Sequence, residues 1–198
     1  MSVSRVSNAT AATAVAGLHM VTPTSVTVSA GTGSVSGQGA VSFSTVPTLT
    51  INNCFSSNYS QYKIMIELTG AAANNQTVIM QLHDGTNPVT SNYYYANIRV
   101  TEGGTTSNRA STTATGVHLF FSTTQDLNAG MVEMFSPATT VKTKFMYSMW
   151  VNDGSTGSWM ESGTASQNNN TAYTGLRIVN TSGITGTIRI YGYNNGGA

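Results

Sequence analysis

Tyr62-Lys63-Ile64-Met65-Ile66-Glu67-Leu68 is the stretch on which the fold turns. Tyr62, Ile64, Ile66 and Leu68 alternate with Lys63, Met65 and Glu67. A period of two is the strand period, so the segment presents one buried face and one wetter face. The same signal recurs every 10–15 residues, at Thr77–Leu82, Tyr93–Val100, Val117–Phe121, Met131–Phe135, Val141–Val151, Ser158–Glu161, Leu176–Val179 and Thr187–Tyr191. Turn chemistry separates the strands: His83-Asp84-Gly85-Thr86 and Asn152-Asp153-Gly154-Ser155 both place Gly after Asp. No window places apolar residues at i, i+3, i+4 and i+7 between caps. These features predict an all-β protein, an antiparallel β-sandwich that is jelly-roll-like.

Upstream the chain changes character. Ser29 to Gly39 holds one bulky apolar side chain, Val35, among small residues. Ser25–Val28 and Ala40–Val46 flank it with short alternating pieces, and Pro47 is expected to end the second. The reading is an extended N-terminal arm with short strands over 1–46 and a sandwich domain over 47–198. Isolated two-stranded pieces are marginal in water. The arm is therefore expected to pack mainly against other chains.

Composition narrows the function classes. Lys and Arg number 8 and Asp and Glu 7, for a net charge of +1 and a charged fraction of 8%. An ordinary globular chain carries about 25%. Ser, Thr, Asn and Gly together make up 92 of the 198 residues. Eight scattered cations supply little counterion release, so no nucleic-acid partner is expected. No apolar run approaches a membrane span, so no membrane insertion is expected. The N-terminus lacks the apolar core of a signal peptide, and Sec export is not expected. Cys54 stands alone and reads as a small buried residue.

Catalytic chemistry finds little footing. His19, His83 and His118 lie on separate strands or loops, and no Gly-x-Ser-x-Gly elbow occurs. Gly31 to Gly37 lacks both the spacing and the Lys of a phosphate cradle. Glu67 and Glu133 sit at solvent-facing parity, Asp84 and Asp153 precede turn glycines, and Glu102 and Glu161 lie at strand ends. Backbone reasons cover these acids. No catalytic residue, metal site or cofactor is expected. Aromatic residues carry more. Tyr93, Tyr94 and Tyr95 are consecutive and must point to both faces, and Trp150 and Trp159 bracket the Asp153 turn. Tyr and Trp among Asn, Ser and Gly suit glycan platforms and protein contacts alike, and the plainer reading is two indoles that fill the sandwich core. Trp150, Asp153, Trp159, Tyr93 and Tyr95 form the candidate contact or ligand-facing set.

Three segments resemble small virion proteins of tailed bacteriophages. They are Cys54-Phe55-Ser56-Ser57-Asn58-Tyr59-Ser60-Gln61-Tyr62 running into its strand, His83–Thr86 through Ser91-Asn92-Tyr93-Tyr94-Tyr95, and Gly186-Thr187-Ile188-Arg189-Ile190-Tyr191-Gly192. The likeness spans about Thr22 to Tyr193. It implies a non-enzymatic component of the virion exterior, assembled in the host cytoplasm: a capsid decoration (cement) protein, with a head fibre or a short tail-fibre or tip adhesin for host surface glycan as the alternative. It further implies a homo-oligomer, usually a trimer, whose other partners are the major capsid protein or tail proteins.

Overall fold

The structure, a computed structural model, describes residues 17–124, 127–152 and 157–194. Its strands are β1 (Gly17–Met20), β2 (Ser25–Val28), β3 (Thr32–Val35), β4 (Val41–Asn52), β5 (Gln61–Ala71), β6 (Gln76–His83) and β7 (Tyr93–Thr101). They continue with β8 (Thr106–Ala114), β9 (Val117–Ser122), β10 (Asn128–Phe135), β11 (Thr143–Asn152), β12 (Ser158–Gln167) and β13 (Gly175–Asn194). Every strand pairing is antiparallel, and no helix occurs among the described residues. The protein is an all-β sandwich.

Two long strands join the layers. The first part of β13, Gly175–Val179, lies between β4 and β6. Its later part, from Ile184, lies between β4 and β5. The exchange of β6 for β5 happens at the register break between Val179 and Ile184. Asn180 is buried there and donates from Nδ2 to the Ser122 hydroxyl at 3.1 Å and to the Thr77 carbonyl at 3.3 Å. Its Oδ1 accepts from the Ser182 N–H at 3.1 Å. The interrupted ladder is thus re-satisfied by one side chain. From β5 the larger layer continues through β10, β11, β12 and β7 to β8. On the other side β6 pairs with β9, which meets β11, β7 and β12 without pairing with them. That contact is layer on layer.

The core follows from alternation. Tyr62, Ile64, Ile66 and Leu68 of β5 are buried beside Val132 and Met134 of β10 and Phe145, Tyr147, Met149 and Val151 of β11. Each such side chain contributes about 1.5–3 kcal/mol on burial. Cys54 is buried as expected.

The expected division after residue 46 does not coincide with a structural break. Strand β4 runs through Pro47 without interruption. Pro47 sits where the β13 register jumps from Ile184, opposite Val46, to Val179, opposite Thr48. A bulge needs no ladder N–H at that point, so proline is tolerated. Nor do residues 17–46 look outward for burial. Val41, Phe43 and Val46 are in the chain's own core, β2 and β3 pair with β4, and β1 pairs with the end of β13. Residues 1–16 lie outside the described residues. The glycine stretch has a packing role: a Cβ on Gly33 would come within 2.9 Å of Val28 Cγ1 and 3.2 Å of Val26 Cγ2. Glycine lets the β2 valines lie close over β3.

Candidate functional site

Four of the five sequence-predicted residues are described, and Trp150 faces away from Trp159, Tyr93 and Tyr95. Trp150 is opposite Met160 and Trp159 is opposite Val151, so the indoles point to opposite faces of the β11–β12 hairpin. Trp150 is 51% exposed, whereas Trp159 is 2% exposed and lies under the Arg99 guanidinium, 3.8 Å from the ring centroid. Tyr93 is buried, and its hydroxyl accepts from the Leu82 N–H at 2.7 Å. Tyr95 faces the same way, half-buried, with its ring centroid 6.2 Å from His118. Tyr94 faces the opposite way and is exposed. Asp153 lies outside the described residues.

Trp150 belongs to a different constellation, the outer face of the larger layer. Met131 of β10 is opposite Met65 of β5, Trp150 of β11 is opposite Met160 of β12, and Met146 lies between Glu133 and Thr164. Ile98 and Tyr94 of β7 extend the face. All seven large apolar side chains are exposed, Met146 by 55%. Two shallow depressions run across it. One of about 720 Å³ is bordered by Tyr94, Phe135, Lys144 and Met146. The other, about 320 Å³, is floored by Ser148, Ser162 and Gly163 between Met131 and Met146. Four of the charges on this side are paired within the chain, and Lys144 stands exposed on the same face. Lys63 pairs with Glu133 at 3.4 Å and Arg189 with Glu67 at 3.1 Å. The Tyr193 hydroxyl donates to Glu133 Oε1 at 2.9 Å. Alternation placed Met65 on the wetter side. The join with Met131, Met146 and Met160 required the strand order.

The inner face holds a polar cluster that the sequence reading passed over. Glu161 lies inside β12 rather than at a strand end, and it is fully buried. Arg109 of β8 donates from Nη1 to Oε2 at 3.3 Å. Asn97 Nδ2 donates to Oε2 at 3.5 Å, and His118 Nδ1 of β9 lies 3.8 Å from the same oxygen. Burial raises the carboxyl pKa, and the Arg109 charge opposes that rise. Burial, aided by Arg109, pushes the His118 imidazole down to about 4. The ring sits between Tyr95 and the edge of Phe121, at 4.9 Å. A Cβ on Gly163 would come 2.7 Å from the Tyr147 hydroxyl oxygen, so glycine leaves room for that phenol. At 3.8 Å the imidazole neighbours the Glu161–Arg109 pair without a hydrogen bond to it. A buried acid in such company, its pKa raised, differs from an acid placed for backbone reasons. No group of three or more His, Cys, Asp or Glu able to hold a metal occurs among the described residues. No helix among them is long and apolar enough to cross a membrane.

No family model matches the chain. No curated protein matches it. Among solved structures it is similar to the enzymatically active domain of tailspike protein 2 from bacteriophage CBA120. The identity is 10% and the TM-score 0.40, over 92% of this chain and 30% of that one. The chain thus spans under a third of that protein's length. The expectation that this chain is not an enzyme is corrected here. That neighbour is an enzymatically active domain, and absence of activity is not assigned to this chain.

Proposed function

We propose that this chain is a structural component on the exterior of a bacteriophage virion, a capsid decoration protein added to the assembled shell. The observation that carries the reading is the outer face of β5, β10, β11, β12 and β7. Free-standing proteins rarely leave a contiguous apolar patch of more than a few hundred Å² in water. This chain sets seven large apolar side chains across five neighbouring strands. It does so on a molecule that is otherwise neutral and rich in Ser, Thr and Asn. Such a face suits a part that works within a larger assembly. The virion setting comes from the resemblance of the strand-and-turn segments at 54–70, 83–95 and 186–192. Quantitative mass spectrometry of purified particles tests it. A copy number that scales with the shell is expected, and absence from particles would overturn the reading.

A second reading, a short tail-fibre or tip adhesin for host surface glycan, is favoured by one observation. The larger depression sets the exposed Tyr94 ring beside Lys144, Thr112 and Ser166. An aromatic face with hydroxyls around it suits sugar stacking. Under this reading Tyr94→Ala particles assemble but fail to adsorb. Normal adsorption by that variant would exclude it.

A further inference from the structure

We propose that the larger depression of the outer face takes an acidic glycan, with Lys144 receiving a sugar carboxylate while Tyr94 stacks on a ring. The inference rests on the glycan reading of that depression given above and names the class of sugar.

The first observation is a row of side chains. Lys144 of β11 is directly opposite Ser166 of β12, and Ser166 is directly opposite Tyr94 of β7. Cross-strand partners share a face, so cation, hydroxyl and aromatic ring stand side by side on the outer surface. Neighbouring strands lie about 4.8 Å apart, which sets the backbones of Lys144 and Tyr94 about 10 Å apart. The flexible four-carbon stem of lysine covers much of that separation. The Ser166 hydroxyl donates to Asn168 Oδ1 at 3.1 Å, which leaves its lone pairs to accept from a sugar hydroxyl.

The second observation is the floor beside that row. Met146, Thr164, Ala96 and Ala110 are opposed in turn across β11, β12, β7 and β8. Past Met146 these side chains are short, and Ala96 lies between the larger Tyr94 and Ile98 along the same face of β7. The depression of about 720 Å³ follows this low strip. Its volume lies in the range of small-molecule sites, about 300–1,000 Å³. Four strands side by side span about 14 Å, longer than a single sugar ring. A shallow strip of methyl groups suits the C–H faces of linked rings, whereas an acyl chain needs enclosing walls.

The third observation is charge. Lys63 and Arg189 are engaged by Glu133 and Glu67. Glu133 also accepts from Gln61 Nε2 and from the Tyr193 hydroxyl. Lys144 is exposed and has no ion-pair partner among the described residues. An unpaired ammonium at the rim of this strip offers a carboxylate a charge-assisted hydrogen bond that a neutral sugar cannot match.

The test is an NMR titration of the full chain with oligogalacturonate and with the same oligomer methyl-esterified, followed at Ala96, Ala110 and Thr164. Both forms should shift these resonances. The acid form should bind about three- to fivefold tighter, the scale of an exposed ion pair, and added salt should narrow the gap. Lys144→Gln should bring the acid form down to the affinity of the ester. Arg189→Gln removes the same charge from β13, three strands from β11, and should leave the preference intact. Tyr94→Ala should weaken both forms. Equal affinities in the wild type, or a preference lost equally in the two charge variants, would overturn the acidic class and leave the glycan reading standing. Shifts with neither oligomer would overturn this inference, and adsorption of the Tyr94→Ala particles then decides the glycan reading separately.

Discussion

Glu161 shows what a single residue gains or loses by its neighbours. Removing one member of a buried ion pair leaves the other charge without a partner, which costs about 3–5 kcal/mol. Arg109 is partly exposed, so Arg109→Ala should fall near the low end, about 3 kcal/mol, by urea denaturation. Adding Glu161→Leu should recover part of that loss, and a double-mutant cycle measures the coupling. His118 sets a pH dependence. Its folded pKa of about 4 lies below the ordinary 6.5, so the unfolded chain takes up its proton first as pH falls. Its contribution is therefore present above pH 6.5 and is lost as pH drops toward 4, by up to about 3 kcal/mol. Glu161, raised by burial, works with the opposite sign, being most favourable in acid and less so as pH rises through its folded value. The stability of wild type relative to His118→Phe should consequently grow between pH 4 and 6.5, and a flat difference would contradict the assignment. The two tryptophans separate cleanly. Trp159→Ala should cost about 3–5 kcal/mol, as a large core deletion does. Trp150→Ala should leave monomer stability within about 0.5 kcal/mol. Tyr62 to Leu68 was legible in sequence because alternation alone sets which side chains share a face. The burial of Glu161 was not, since it depends on β9 covering that face from the other layer.

Among the elements, β4 and β13 carry the architecture. Both span the register break at Asn180 to Gly183, so each contributes to both layers. The sequence reading ended a strand at Pro47 because proline lacks a donor. The structure continues it because no donor is needed at a bulge. Strand β3 depends on the absence of a side chain. Gly33→Val would drive Cβ and its methyls into Val26 and Val28, at a cost of about 1–3 kcal/mol. Hydrogen exchange should show the loosening in β2 and β3, with β5 and β10 still protected, whereas uniform loss of protection would count against it. At the far edge, β8 presents mostly exposed Thr and Ser with the charge of Arg109 among them, and a register shift interrupts its pairing with β7.

For the molecule as a whole, the described part of the first 46 residues belongs to the chain's own sandwich. Val26, Val28 and Val35 pack against its core. Deleting residues 1–38 should lower the stability of the isolated chain by about 2 kcal/mol, from the valine surface returned to water. Chemical denaturation of the full and shortened chains measures it, and equal midpoints would favour an arm that packs mainly against other chains. Period-two alternation and turn residues determined from sequence that the chain is all-β, antiparallel and sandwich-like, since those signals depend only on local geometry. Composition determined that its surface is polar and almost uncharged. Tertiary structure alone decided that Trp150 and Trp159 part company, that Met65, Met131, Met146 and Met160 share one sheet face, and that Glu161, Arg109 and His118 meet. Those outcomes depend on strand order, on cross-strand register and on which layer covers which. A one-residue change in register would turn every side chain of a strand to its other face.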